Sequence, residues 1–122
     1  MVIITGGSSD GKNILKTAEI YHPILNTSSY VPSLPEGRLQ HSQDGLLACG
    51  GEGSNNSVTT CVKWIPASGT WNQSNTLGEK RIYHNSWATT SGVYLIGGDP
   101  SPLTLEKVGS DKPTFSLKYK TR

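Results

Sequence analysis

Short apolar runs, each closed by a double glycine, punctuate an otherwise polar chain. They are Val2-Ile3-Ile4-Thr5-Gly6-Gly7, Leu46-Leu47-Ala48-Cys49-Gly50-Gly51 and Val93-Tyr94-Leu95-Ile96-Gly97-Gly98. Runs this short read as strands, and because they are apolar on both faces they suit a sheet packed between two others. The glycines let the chain turn with positive φ and let a neighbouring backbone approach closely. The first glycines of the three pairs lie 44 and 47 residues apart. A fixed period of that size is the mark of a repeat architecture.

Further positions keep the same beat. Arg38 precedes His41, and 43 residues on Arg81 precedes His84. Trp64, Pro66 and Trp71 form an aromatic pattern that Tyr21, Pro23 and Tyr30 begin to repeat, with Val108 and Phe115 as its weaker third copy. Each unit therefore reads as four short strands. In the second unit they are about 39–43, 46–50, 58–65 and 70–73; in the third, about 84–89, 93–97, 104–108 and 114–119. The first unit begins at its second strand, so three, four and four strands are expected. The units divide the chain at 1–33, 34–77 and 78–122.

These marks resemble the kelch repeat: an apolar run with a double glycine, a Tyr or Trp, a second Trp, then Arg-x-x-His. The resemblance covers nearly the whole chain. It implies an all-β fold in which each unit is one four-stranded antiparallel blade of a β-propeller, arranged here as an open partial propeller. The strand missing from the first blade would be the innermost one. The chain thus reads as a fragment of a longer propeller, or as one that joins further blades by self-association, since open edges and bare blade faces are a liability. The resemblance also implies that Gly6, Gly7, Gly50, Gly51, Gly97, Gly98, Tyr21, Trp64, Trp71, His41 and His84 are structural residues of the repeat.

Composition narrows the function. Eleven basic against nine acidic residues leave a net charge of +2, too balanced to argue for nucleic acid or an anionic membrane surface. The basic cluster Lys118, Lys120 and Arg122 is terminal. No stretch has the length of apolar sequence needed to span a bilayer as a helix, and Val2-Ile3-Ile4 has neither the basic start nor the cleavage site of a signal peptide.

Candidate chemistry is sparse. Gly6 to Lys12 has the glycine and lysine spacing of a phosphate-binding loop, but Asn13 stands where that motif needs a hydroxyl, and the repeat already explains the glycines. His41 and His84 recur at one repeat position, whereas an active site occurs once. Zinc would need four converging ligands, which two Cys and three His at these spacings do not suggest. No cofactor and no catalysis are expected. Two readings compete with a binding module: a degenerate, non-functional fragment of a larger propeller, and a galactose-oxidase-like copper enzyme, which would need several His and Tyr converging on the propeller axis.

Cys49 and Cys61 are more informative. A hairpin symmetric about Asn55 sets them opposite each other, with Cβ atoms about 4.5–5.5 Å apart. That is near the span of a disulfide in an oxidising compartment; two buried thiols packed as small hydrophobes are the alternative. Three acceptor patterns for N-glycosylation, at Asn26, Asn55 and Asn72, lie in turns or at strand ends. With the cysteine pair they tilt localisation towards secretion.

Loops at one end of a rigid sheet stack make a natural binding face. Asp10, Lys12, Glu52, Asn55 and Asp99 follow the double glycines. Glu36, Arg38, Glu79, Arg81 and Tyr83 lie in the connections that enter the next unit at the same end. These ten are the candidate residues for a protein or peptide partner, the function that the resemblance implies. For Arg38 and Arg81 a bracing role between adjacent blades competes with it.

Overall fold

The computed structural model describes residues 1–54, 57–100, 104–108 and 115–118, the last segment as backbone. Asn55, Phe115 as a side chain, and the terminal Lys120 and Arg122 therefore lie outside the described residues. The fold is all-β, and among the described residues there is no helix.

Three antiparallel meanders carry the chain. The first sheet contains β1 (Val2–Thr5), β2 (Ala18–His22) and β3 (Thr27–Val31). The second runs β4 (Ser42–Asp44), β5 (Leu47–Cys49), β6 (Thr60–Ile65) and β7 (Thr70–Thr76). After β8 (Arg81–Ile82), the third holds β9 (Asn85–Thr89), β10 (Gly92–Ile96), β12 (Thr104–Val108) and β13 (Phe115–Lys118). The expected strands are present with shifted ends. The first strand of the second unit starts at Ser42 rather than Leu39, because Leu39 pairs instead with Glu52 in an isolated bridge. The apolar strands stop one residue before the double glycine, at Cys49 and Ile96, because the next residue turns to positive φ.

One pairing has no sequence signal. β8 pairs with β11 (Asp99–Pro100) as a two-stranded ribbon, with Asp99 opposite Ile82. Its counterpart in the second unit is the Leu39–Glu52 bridge. Both tie the loop after a double glycine to the connection entering the same sheet.

The sheets stack by alternation. On the first sheet Ile3 and Ala18 are buried. Leu34, Ala48 and Val62 form a core cluster on the side of the second sheet that faces them, with Trp71 against it. Leu47, Cys49 and Cys61 point the other way and pack with Leu77, Leu95 and Val108 of the following segment and sheet. At about 1.5–3 kcal/mol per fully buried aliphatic side chain, these two interlayers are the main cohesion between sheets.

β5 and β6 pair with Leu47, Ala48 and Cys49 opposite Lys63, Val62 and Cys61, the register symmetric about Asn55. Gly50 N–H donates to Thr60 O, so the next pair inwards is non-hydrogen-bonded, the closer kind. Cys49 and Cys61 occupy it with Cα atoms 4.1 Å apart and form a disulfide. Of the two readings open from the sequence, the bridge is the one the fold adopts.

Candidate functional site

The double glycines are where the units interlock. Gly6 and Gly50 have φ of 61° and 65°. A Cβ on Gly6 would lie 2.5 Å from Arg38 O and 3.1 Å from His41 Cε1; on Gly50 it would lie 2.9 Å from both Arg81 O and His84 Cε1. The second glycines of the other two pairs, Gly51 and Gly98, are crowded from their own units, whereas a Cβ on Gly7 would meet nothing within 4 Å. A Cβ on Gly51 would be 2.8 Å from His41 Cβ, and one on Gly98 would be 2.9 Å from His84 Cβ. Each histidine is therefore clasped between the first glycine of the preceding unit and the second glycine of its own. The backbone completes the junction: Gly7 N–H donates to Arg38 O at 2.7 Å, and Gly51 N–H to Arg81 O at 2.8 Å.

Around the ring atoms the chemistry is structural. His41 Nε2 meets Thr5 Oγ1 at 3.0 Å and His84 Nε2 meets Ser42 Oγ at 2.8 Å, each across a unit boundary. Burial is the main cause that lowers the His41 pKa from 6.5 to about 4, with the charges of Arg38 and His84 adding to it. For His84, burial and then Arg81 lower it to about 4, outweighing the opposite pull of the Cys49 and Arg81 backbones.

Arg38 and Arg81 are fully buried. Arg38 donates from Nη1 to the Gly50 and Thr60 carbonyls and from Nη2 to Thr60 Oγ1. Arg81 Nη1 does the same to Gly97 O and Thr104 O, while its Nε reaches Glu106 Oε1 at 3.1 Å. Their side chains thus anchor strands of their own unit, and the bond between units is made by their carbonyls. Desolvation lowers Arg38 to about 10, partly offset by the charge of Glu36.

Glu106 is the structural residue that sequence reasoning missed. It is fully buried, and its second oxygen accepts the Gly78 N–H at 2.6 Å. The second unit has Val62 at the matching position, so the repeat pattern concealed it.

The loops at this end present the remaining candidates. Asp10, Lys12, Glu36, Glu52, Tyr83 and Asp99 are exposed and Glu79 is half-buried. Glu52 and Asp99 hold equivalent places through the pairings Leu39–Glu52 and Ile82–Asp99. Gln40 and Tyr83, again 43 residues apart, both adopt the left-handed conformation, at φ of 57° and 56°. Gln40 Nε2 donates to Tyr83 Oη at 2.7 Å, and Tyr83 N–H to Gln40 O at 3.2 Å. A bulky residue at positive φ is uncommon, and such strain concentrates at functional sites. Gln40 belongs with the candidate site; its only sequence signal is sharing a repeat position with Tyr83.

Asp10 settles the loop that follows Gly7. Its Oδ1 accepts the N–H groups of Lys12 and Asn13, each at 2.8 Å, and Ser8 Oγ donates to the same oxygen. The bond from Asn13 N–H, followed by that from Lys12 N–H, lowers the Asp10 pKa to about 2. Two of the amides that a phosphate-binding loop would turn to its ligand, those of Lys12 and Asn13, are taken by this carboxylate.

The two described glycan acceptors are both exposed. Asn26 lies in the β2–β3 turn with φ of 50°, accepting the Tyr21 hydroxyl at 2.9 Å, and Asn72 lies on the outer strand β7. Trp64 and Trp71 pack as a tilted pair with ring centroids 5.3 Å apart, and Trp71 Nε1 donates to Pro32 O across the first unit boundary. No protein-family model matches the chain, and no curated protein matches it.

Proposed function

We propose that the chain is an arc of kelch-type propeller blades serving as a non-catalytic interaction module. It binds a protein or peptide segment across the loop face that carries Glu52, Tyr83 and Asp99. The observation that carries this reading is the Gln40–Tyr83 pair: an exposed aromatic held at positive φ above a buried Arg–His–Gly–Gly lattice that keeps the loop bases rigid. A rigid scaffold presenting strained, exposed loop residues is the arrangement of a recognition surface.

With Arg38 and Arg81 turned inwards, Asp10, Glu36, Glu52 and Asp99 are exposed at this end, and among the described residues the exposed basic residues of the same loops are Lys12, Lys16 and Lys80. A partner segment rich in Lys or Arg fits that balance, with the Tyr83 ring available to a cation. The Cys49–Cys61 disulfide and the exposed Asn26 and Asn72 suit a secretory setting.

The test is selection of peptides from a displayed random library on the immobilised, disulfide-bonded protein. Enriched peptides are expected to be basic. Their affinity should fall at least about tenfold with Tyr83→Ala or Glu52→Lys and stay level with Lys63→Ala on β6. Failure to enrich, or binding indifferent to Tyr83 and Glu52, refutes the reading.

A further inference from the structure

The two end faces of the sheet stack match in kind the faces that already pack inside it. Strand register sets the correspondence. Tyr94, Ile96 and Leu105 of the third sheet hold the places of Leu47, Cys49 and Cys61 in the second, since Leu105 opposes Ile96 as Cys61 opposes Cys49. Val2, Ile4 and Tyr21 of the first sheet hold the places of Val93, Leu95 and Val108 in the third, since Val2 opposes Tyr21 as Val93 opposes Val108.

Inside the stack these two kinds of face meet and are buried: Cys49 is 1% exposed, Leu95 0% and Val108 1%. At the ends Tyr94, Leu105 and Tyr21 are half-buried and the other equivalent residues are exposed. Ile96 is 39% exposed and Trp87, stacked on Tyr94 across β9 and β10, 61%. On the opposite end Val2 is 49% exposed and Ile4 52%. Each face also carries one charged residue among its described positions, of opposite sign. Lys107 lies opposite Tyr94 on the third sheet, and Glu19 opposite Ile4 on the first.

We infer that a second copy of this chain covers both ends. The Tyr94–Ile96–Trp87 face of one copy seats on the Val2–Ile4 face of the other, and the reverse contact closes the pair. The chemistry argues for the chain itself as occupant, because the first-to-second and second-to-third junctions already join these two kinds of face. A face-to-back contact repeats until it closes, and two copies carry six meander sheets, the two-stranded ribbons aside, within the four to eight blades of a closed propeller. The inference rests on the stacked-blade reading above but not on the loop face binding a partner.

Sedimentation of the disulfide-bonded chain across a range of concentrations tests it. The expected mass is twice 13.1 kDa, reached without larger species. Ile4→Asp and Ile96→Lys each damage both contacts of a closed pair, so each variant alone should dissociate at least about tenfold more readily. An equal mixture of the two should restore the pair, because one junction then joins two unaltered faces and the other sets Asp against Lys. A misfolded variant could not give that rescue.

A monomer at every concentration overturns the inference, as does a mass that climbs without limit, the mark of an unclosed head-to-tail chain. So does a pair disrupted by only one of the two substitutions. Loop-face variants such as Tyr83→Ala should leave the mass unchanged. A monomer that still binds selected peptides would refute the pairing alone.

Discussion

Gly7 and Gly51 occupy the same place in the repeat and nearly the same backbone conformation, φ 87° and 95°, but not the same surroundings. A Cβ on Gly51 would lie 2.8 Å from both Leu39 O and His41 Cβ, whereas one on Gly7 would meet nothing within 4 Å. Alanine at either position bears the strain of a left-handed conformation, on the order of 1–3 kcal/mol. Only Gly51→Ala adds a clash, against a backbone carbonyl and the base of a clasped histidine, neither free to swing away. Overpacking of that kind costs about 1–3 kcal/mol more. Gly51→Ala should therefore be less stable than Gly7→Ala by about 1–3 kcal/mol, a large share of a small domain's 5–15. Urea titration under non-reducing conditions, followed by tryptophan fluorescence, measures both midpoints and slopes. Equal destabilisation by the two substitutions, or a greater loss from Gly7→Ala, would refute the argument that the second glycine exists for close approach rather than for φ alone.

Replacing Glu106 by Val, the residue that the second unit carries there, should cost about 3 kcal/mol in the same titration, because the buried Arg81 loses its carboxylate. The double variant with Arg81→Met should recover part of that loss. Reducing the Cys49–Cys61 bridge, which closes a separation of 12 residues, should lower stability by about 3 kcal/mol, and thiol titration of the unreduced, denatured protein should find no free cysteine. His41 and His84 have folded pKa values of about 4 against 6.5, so the unfolded chain binds protons first as pH falls. Their contribution is complete above about pH 6.5 and is lost as pH falls towards 4. Melting temperature should drop across that window, and His84→Gln should flatten the drop.

How much could be read from the chain alone follows from the range of each interaction. The strands around the double glycines were legible because alternation, run length and turn glycines act within a few residues. The Cys49–Cys61 pairing was legible for the same reason, since one hairpin register sets both residues. Its oxidation was not, because spacing alone does not choose between a bridge and two buried thiols. The strand ends moved where backbone partners came from elsewhere, as when Leu39 left the expected strand to bond Glu52. The repeat also misdirected: it marked Arg38 and Arg81 as loop residues with a choice of roles, and hid Glu106 behind Val62.

The amino-acid pattern by itself determined three glycine-punctuated sheets, their order and the register of the cysteine hairpin, because those depend on neighbours in sequence. Tertiary structure decided which polar groups went inside. A guanidinium is buried only where carbonyls or a carboxylate converge on it, as Gly97, Thr104 and Glu106 do on Arg81. It likewise decided that His41 and His84 serve as wedges between glycines and that Gln40 supports Tyr83. Such partners are 25 to 43 residues apart in the case of Arg81–Glu106 and Gln40–Tyr83, and they meet only because the sheets stack face to back.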